Sequence, residues 1–263
     1  MDKKKFALIG DGGIASVIVD AYCQGKMPAY ELVCICGMNQ EKLSELSEKA
    51  DCKIAKDIEE LISYKPSIVA EAAAIGAAKA YALPVLKSGI DFLPLSIGAF
   101  ADSEFFEEAK KTAAEAGARL YFSSGAIGGF DIMQTIALMG DAQAELVQIR
   151  EASTYRGTGV FSEEPLQTGK KTLLFEGSAT EAIKLLPKHI NIGVATSLAT
   201  VGPDSTNIKI YGDPNMPNDD DLRIKVFNDR ASVEVNVYAK NSCITPWSVV
   251  SFLNNLASSV YFY

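Results

Sequence analysis

Apolar and polar positions in the first half of the chain follow two periods in turn. Short apolar runs of strand length fall at Lys5 to Ile9, Glu31 to Cys36, Ser67 to Ala72, Asp91 to Ser96 and Arg119 to Ser123. Helical spacing lies between them: Ile14 to Cys23, the polar Gln40 to Ala50, an alanine-rich segment ending at Lys87, and Ser103 to Glu115 with Ser103 as N-cap. Strands that alternate with helices predict a parallel sheet covered on both faces. The second half reads differently. Glu145 to Thr154 and Asn207 to Tyr211 predict strands, and Leu222 to Phe227 with Ser232 to Tyr238 predict an antiparallel pair across the Asn228-Asp229 turn. Ser178 to Leu186 predicts a helix with a capping box, because Glu181 follows the Ser178 N-cap by three residues. A last helix, Trp247 to Ser258, leads into Val260 to Tyr263. The expected fold class is α/β: a parallel-sheet domain over 1–125, a smaller α+β domain over 126–244, and a C-terminal helix within 245–263 that packs back onto the first domain.

Composition narrows the function classes. Of 263 residues, 48% are apolar and 22% charged, which is globular rather than disordered. The net charge of −8 argues against a nucleic-acid partner, which needs a basic face. The basic start is followed by an apolar stretch broken at Gly10, Asp11, Gly12, Gly13 and Asp20, so neither a signal segment nor a membrane span is expected. The five cysteines, Cys23, Cys34, Cys36, Cys52 and Cys243, are odd in number and lack metal spacing. With one histidine in the chain, no metal site is expected; Cys34 and Cys36 share a strand face and read as packing. The setting expected is a reduced cytoplasm.

The sharpest local signal is Gly10-Asp11-Gly12-Gly13-Ile14-Ala15, a G-x-G-x-x-A run between the first strand and the first helix. Gly10 permits the tight turn, Gly12 lets a pyrophosphate approach the backbone, and Ala15 lets the helix sit on the sheet. The helix N-terminus at Gly13 and Ile14 then favours an anion. This is a dinucleotide-binding turn, and the first domain is read as Rossmann-type. An NAD site usually carries an acid at the end of the second strand. Here that stretch is Cys36-Gly37-Met38-Asn39, with Asn39 a donor for a 2′-phosphate and Lys42 the nearest cation. The cofactor expected is NAD(P), leaning to NADP; the competing reading is NAD bound without the carboxylate contact.

Further motifs carry a resemblance. Glu71-Ala72-Ala73-Ala74, Ser96-Ile97-Gly98-Ala99-Phe100, Ser124-Gly125-Ala126-Ile127-Gly128-Gly129-Phe130-Asp131, Phe175-Glu176-Gly177-Ser178, Pro187-Lys188-His189-Ile190-Asn191 and Asp213-Pro214 resemble the L-aspartate dehydrogenase family over essentially the whole chain. The resemblance implies a homodimer and NAD(P)-dependent oxidative deamination of an amino acid through an imine. It implies cofactor contacts at Ala126 and Asn191, with Ala73, Ala74, Ser96 and Gly98 on the same cofactor edge. Partners expected are an amino acid, a keto acid or an imine.

Three departures from the family mark the substrate shell. Asn218-Asp219-Asp220-Asp221 stands where the family has Asn-x-His, which aligns Asp220 with a catalytic His. The one histidine, His189, sits at the first Asn of the family's Asn-x-Asn. Arg156 falls near a family Lys. His189 is the candidate for proton transfer and substrate contact, since an unperturbed pKa of ~6.5 suits acid–base work; its plainer reading is a polar cap before a helix starting at Asn191. Asp220 is the second catalytic candidate, against a solvated turn over Asp219 to Asp221. Arg156 is the candidate clamp for a substrate carboxylate, against a surface role. Lys188 reads as surface, Asp131 as an N-cap, and Trp247 with the Tyr261-Phe262-Tyr263 tail as packing at a domain junction or subunit interface. Two alternatives stay open: an NADPH-dependent dehydrogenase or imine reductase for another amino acid or amine, and an inactive NAD(P)-binding protein.

Overall fold

The computed structural model describes residues 3–187, 189–217 and 219–261, so Lys188, Asn218 and the Phe262-Tyr263 end lie outside the described residues. The chain forms two compact units, Met1–Gly125 with Thr245–Tyr263, and Ala126–Ile244.

The first unit runs β1 (Lys4–Ile9), α1 (Gly13–Cys23), β2 (Tyr30–Cys36), α2 (Gln40–Ala50), β3 (Lys53–Ile54), α3 (Ile58–Ser63), β4 (Ile68–Glu71), α4 (Ile75–Lys87), β5 (Asp91–Pro94) and α5 (Ser103–Ala116). Its five strands form one parallel sheet in the order β3-β2-β1-β4-β5. The order reverses between β1 and β4, and crevices for ligands open at the carboxyl ends of strands at such a switch point. Phe6 and Leu8 of β1, Ile18 and Val19 of α1, and Leu43 of α2 are fully buried in one cluster. Each such side chain contributes about 1.5–3 kcal/mol.

Two sequence expectations fail here. Arg119 to Ser123 is not a strand: Leu120 makes a single bridge to Phe92. The Phe92 N–H donates to the Arg119 carbonyl and the Tyr121 N–H to the Phe92 carbonyl, but the next donor along β5 would be Pro94, which has no N–H. The N-cap of α5 is Asp102, which accepts from the Phe105 N–H at 3.2 Å, and Ser103 is already helical.

The second unit contains α6 (Phe130–Leu138), β6 (Gln143–Glu151), α7 (Glu164–Thr168), β7 (Thr172–Ser178), α8 (Ala179–Leu185), α9 (Asn191–Ala199), β8 (Thr206–Asp213), β9 (Asp219–Phe227) and β10 (Ser232–Lys240). The strands form a mixed sheet in the order β10-β9-β6-β8-β7, with β6 and β8 parallel and the other pairs antiparallel. Alternation puts Leu146 and Gln148 of β6, Ile208 and Ile210 of β8, and Leu222 and Ile224 of β9 in the buried layer beneath α6, α8 and α9. The opposite face carries ion pairs, Lys209 with Glu145 at 2.6 Å and Lys225 with Glu234 at 3.0 Å.

The predicted hairpin between β9 and β10 is present, and Asn228 closes its loop by accepting from the N–H groups of Arg230 and Ala231 at 2.9 Å. The capping box at Ser178 and Glu181 is also present. Asp131 is not an N-cap: that position is Gly129 at φ +77°, and Asp131 lies in the first turn of α6. The strand expected to reach Thr154 ends at Glu151, and Ala152–Tyr155 form a 3₁₀ turn. β3, α3, α7 and β7 were not expected from the pattern. The α10 helix (Ile244–Ala257) belongs to the first unit from Thr245 onward, and its Val249, Val250 and Leu253 are buried in the same cluster as Phe6 and Leu8. Trp247 on this helix is 43% exposed. Among the described residues no helix is long and apolar enough to cross a membrane.

Candidate functional site

In the first unit the site is built at the carboxyl edge of β1, β4 and β5. Gly10 leaves β1 at φ +134°, and a Cβ there would lie 2.5 Å from the backbone oxygen of Ala72, so no other residue fits this turn. Beyond it the space is open: a Cβ on Gly12 or Gly13 would meet nothing within 4 Å. Gly12 is the N-cap of α1 with no side-chain cap, and no acid stands in the first turn. Ile14, in that turn, is 36% exposed. α2, α3 and α5 each carry a side-chain cap, whereas α1 and α4, the helices that follow the two strands at the switch point, carry none. Uncapped N–H groups beside open space suit a pyrophosphate.

The loops after β4 and β5 are tied by Glu71, which is fully buried. Its carboxylate accepts from the Ala73 N–H at 2.8 Å, the Ser96 N–H at 3.1 Å and the Ser96 hydroxyl at 2.9 Å. Burial pushes the Glu71 carboxyl above the ordinary range, and these donations pull it partly back. Ala73 and Ala74 are exposed beside it, with Ala74 the N-cap of α4. Gly98 lies half-buried in the 3₁₀ turn Ile97–Ala101 that follows Ser96. The sheet therefore gathers Gly10, Gly12, Gly13, Ile14, Ala73, Ala74, Ser96 and Gly98 along one edge, and its donors and open space fit a dinucleotide.

The end of β2 differs from its reading in the sequence. Asn39 is the N-cap of α2, its side-chain oxygen accepting from the Lys42 N–H at 3.1 Å. A carboxylate does stand there, supplied by the glycine loop: Asp11 Oδ2 accepts from the N–H groups of Met38 at 2.6 Å and Asn39 at 2.8 Å. Sequence reasoning missed Asp11 because the middle position of G-x-G carries no assigned role.

In the second unit a polar cluster is buried at one end of the sheet. Arg150 of β6 and Asp220 of β9 form an ion pair, Nε to Oδ1, at 2.5 Å, with side-chain exposures of 18% and 3%. The Ser242 hydroxyl donates to the other oxygen of Asp220. Gln148, two residues before Arg150 and on the same face, donates from Nε2 to the Tyr155 hydroxyl at 3.1 Å. Burial pushes the Tyr155 phenol up, the Gln148 bond and the Arg150 charge pull it down, and the Asp220 charge raises it again. The His189 ring lies edge-on to Tyr155, centroids 6.3 Å apart. Its backbone N–H donates to the Leu186 carbonyl at 3.0 Å. His189 is half-buried, and Asn191 two residues on opens α9 as predicted.

Tyr155 is the link: the charges of Arg150 and Asp220 act on it from one side, and the His189 ring packs edge-on against it. The solvated turn expected over Asp219 to Asp221 is corrected: all three lie in β9, opposite Lys240, Ala239 and Tyr238. Asp219 and Asp220 tolerate burial because each is partnered, Asp219 by the Tyr238 hydroxyl and the Asn241 N–H. Arg156 is not in the cluster. It is exposed, its guanidinium paired with Glu163 at 2.7 and 3.4 Å and stacked on Phe161, which accords with the surface role weighed for it. Ala126 is buried between Gly125 and Gly128, both at positive φ. Arg150 was missed by sequence reasoning; the signal available was a cation on the buried side of β6, in step with Leu146 and Gln148.

Known proteins match along this whole frame. A family model described as the NAD-binding domain of homoserine dehydrogenase matches residues 10–123, and one described as the C-terminal domain of aspartate dehydrogenase matches residues 131–256. The L-aspartate dehydrogenase of Methanosarcina mazei is 33% identical over 217 residues, covering 81% of this chain and 79% of that protein. That of Methanococcus maripaludis is 28% identical over 265 residues, covering 97% and 98%. The crystal structure of aspartate dehydrogenase from Thermotoga maritima superposes with a TM-score of 0.77 at 25% identity, covering 99% of each chain. With the glycine turn, the uncapped helices of the first unit and the sheet of the second already in place, these matches make the chain a member of the L-aspartate dehydrogenase family and an NAD(P)-dependent amino-acid dehydrogenase.

Proposed function

We propose that the chain oxidatively deaminates L-aspartate, with the first unit holding the dinucleotide and the second holding the substrate and a second copy of the chain. The observation that carries the reading is the second unit's buried cluster, which gathers His189, Tyr155, Arg150 and Asp220 in a family whose chemistry needs a proton acceptor. Gly10, Gly12, Gly13 and Ile14 would hold the pyrophosphate, and Ala73, Ala74, Ser96 and Gly98 the remainder of the cofactor along the same edge. When bound, the nicotinamide supplies the hydride acceptor. His189 takes the amino proton and passes it to solvent; as the neutral base again it accepts a proton from the water that adds to the imine carbon and returns it to the nitrogen, which leaves as ammonia with the keto acid as co-product. Asp220 is the weaker candidate for that role, because Arg150 and Ser242 occupy its oxygens. It holds the cluster in position instead.

A second reading keeps the chemistry and changes the amino acid or amine. It is favoured by the carboxylate of Asp220 where the family has a His. Turnover of oxaloacetate with ammonia, run against a panel of other keto acids and cyclic imines with both NADH and NADPH, tests the two. Fast oxidation with oxaloacetate supports L-aspartate; silence there with turnover of another substrate supports the second reading. A homodimer is what the family resemblance implies, and light scattering tests it. A reducing cytoplasmic setting accords with five free cysteines, two of them exposed.

A further inference from the structure

The end of β2 is where a Rossmann domain meets the adenosine ribose, and the group standing there decides between a 2′-hydroxyl and a 2′-phosphate. An acid accepts from the hydroxyl, while free amides at a helix N-terminus, with a cation nearby, take the phosphate. In this chain the amides exist: the N–H groups of Met38 and Asn39, at the N-terminus of α2. They are not free. Asp11 reaches across from the glycine loop and both donate to its Oδ2, at 2.6 and 2.8 Å. A second observation shows the space is shaped for this carboxylate. A Cβ on Gly37 would lie 2.5 Å from Asp11 Oδ2 and 3.1 Å from its Cγ, so any side chain at 37 displaces it. Gly37 is outside the positive-φ region, so its lack of a side chain serves this approach rather than the backbone.

We propose that Asp11 is the specificity-determining residue for the cofactor and selects NAD over NADP. Its Oδ2 fills the anion position that a 2′-phosphate would need, and its Oδ1 accepts from the ribose 2′-hydroxyl. A 2′-phosphate brings nearly two further negative charges against a carboxylate already holding both amides. This reverses the lean to NADP drawn from an acid-free β2, because the acid comes from a different loop. The inference rests on the nicotinamide-binding reading of the first unit.

The test is equilibrium binding of NADH and NADPH by cofactor fluorescence, with competition by adenosine 2′-monophosphate, for the wild type, Asp11→Asn and Gly37→Ala. The wild type is expected to bind NADH roughly tenfold or more tighter than NADPH. Asp11→Asn keeps the acceptor oxygen and removes the charge, so it is expected to move that ratio by roughly tenfold toward NADPH and to raise affinity for adenosine 2′-monophosphate. Gly37→Ala keeps the charge and swings the carboxylate off the two amides, moving the ratio the same way by less. A wild type that binds NADPH as tightly as NADH, or a ratio within about threefold of wild type in both variants, overturns the proposal while leaving the cofactor reading intact. Wild-type protein that binds neither dinucleotide overturns the cofactor reading, and this proposal with it.

Discussion

Breaking the buried pair of Arg150 and Asp220 is expected to damage the second unit unequally from its two sides. Arg150→Met leaves the Asp220 carboxylate, 3% exposed, with the Ser242 hydroxyl as its side-chain donor among the described residues. Removing one partner of a buried pair costs about 3–5 kcal/mol, and this variant belongs at the upper end. Asp220→Asn keeps the shape and leaves an Arg150 side chain that is 18% exposed and able to reach water. A cost of about 2–3 kcal/mol is expected there, below the full buried-charge penalty. Arg150→Met should lower Tm by roughly 10 °C in a chain of this size. The double variant should cost less than the two singles together by about 2 kcal/mol, since it strands no charge. Urea denaturation followed by far-UV circular dichroism gives the energies, and kcat is measured on the same preparations. Singles that each cost under about 0.5 kcal/mol, or strict additivity in the cycle, would refute the buried-pair reasoning. A fall in kcat of about 10²–10⁴ for Asp220→Asn without loss of stability would instead make Asp220 the proton-transfer group.

His189→Asn is expected to lower kcat by about 10²–10⁴, with Tm within about 2 °C of wild type; a wild-type kcat removes His189 from the chemistry. Gly10→Ala places a Cβ 2.5 Å from the Ala72 oxygen at φ +134°, so about 2–4 kcal/mol of stability and the cofactor affinity should be lost together, read by denaturation and dinucleotide titration. Glu71 titrates above the ordinary carboxylate range in the folded protein because of burial. Between the ordinary and the raised value the folded chain holds a proton the unfolded chain has released, so stability falls as pH rises through that window. Glu71→Gln should remove that segment of the pH–stability curve, and an unchanged curve would reject it. Leu253→Ala, in the cluster that joins α10 to β1, should cost about 2–5 kcal/mol by urea denaturation.

Local rules reach far along this chain. The glycine turn, the strand–helix alternation, the capping box at Ser178 and the hairpin of β9 and β10 are each written within a few neighbouring residues, because turn chemistry and apolar period are local properties. The start of α9 at Asn191 was legible for the same reason. The N-cap of α5, the role of Asp131 and the end of β6 were missed locally, but the failures that bear on the site depended on a partner outside the local pattern. Arg119 to Ser123 has a strand-like pattern, yet its ladder stops at Pro94 on the neighbouring strand, for want of one N–H. Asp219 to Asp221 read as a solvated turn because three adjacent carboxylates repel. They enter a strand because Arg150, Ser242 and Tyr238 meet them there. Arg156 read as a substrate clamp or a surface residue, and it lies exposed with Glu163, seven positions on, as its partner. The acid at the end of β2 was sought on β2 itself, whereas Asp11 delivers it from the first loop across a gap that Gly37 keeps open. The sequence by itself determined most of the elements, the family and the nicotinamide cofactor class. Tertiary structure decided which charges are neutralised and which face the site, because burial and ion pairing depend on distances between segments that no local pattern encodes.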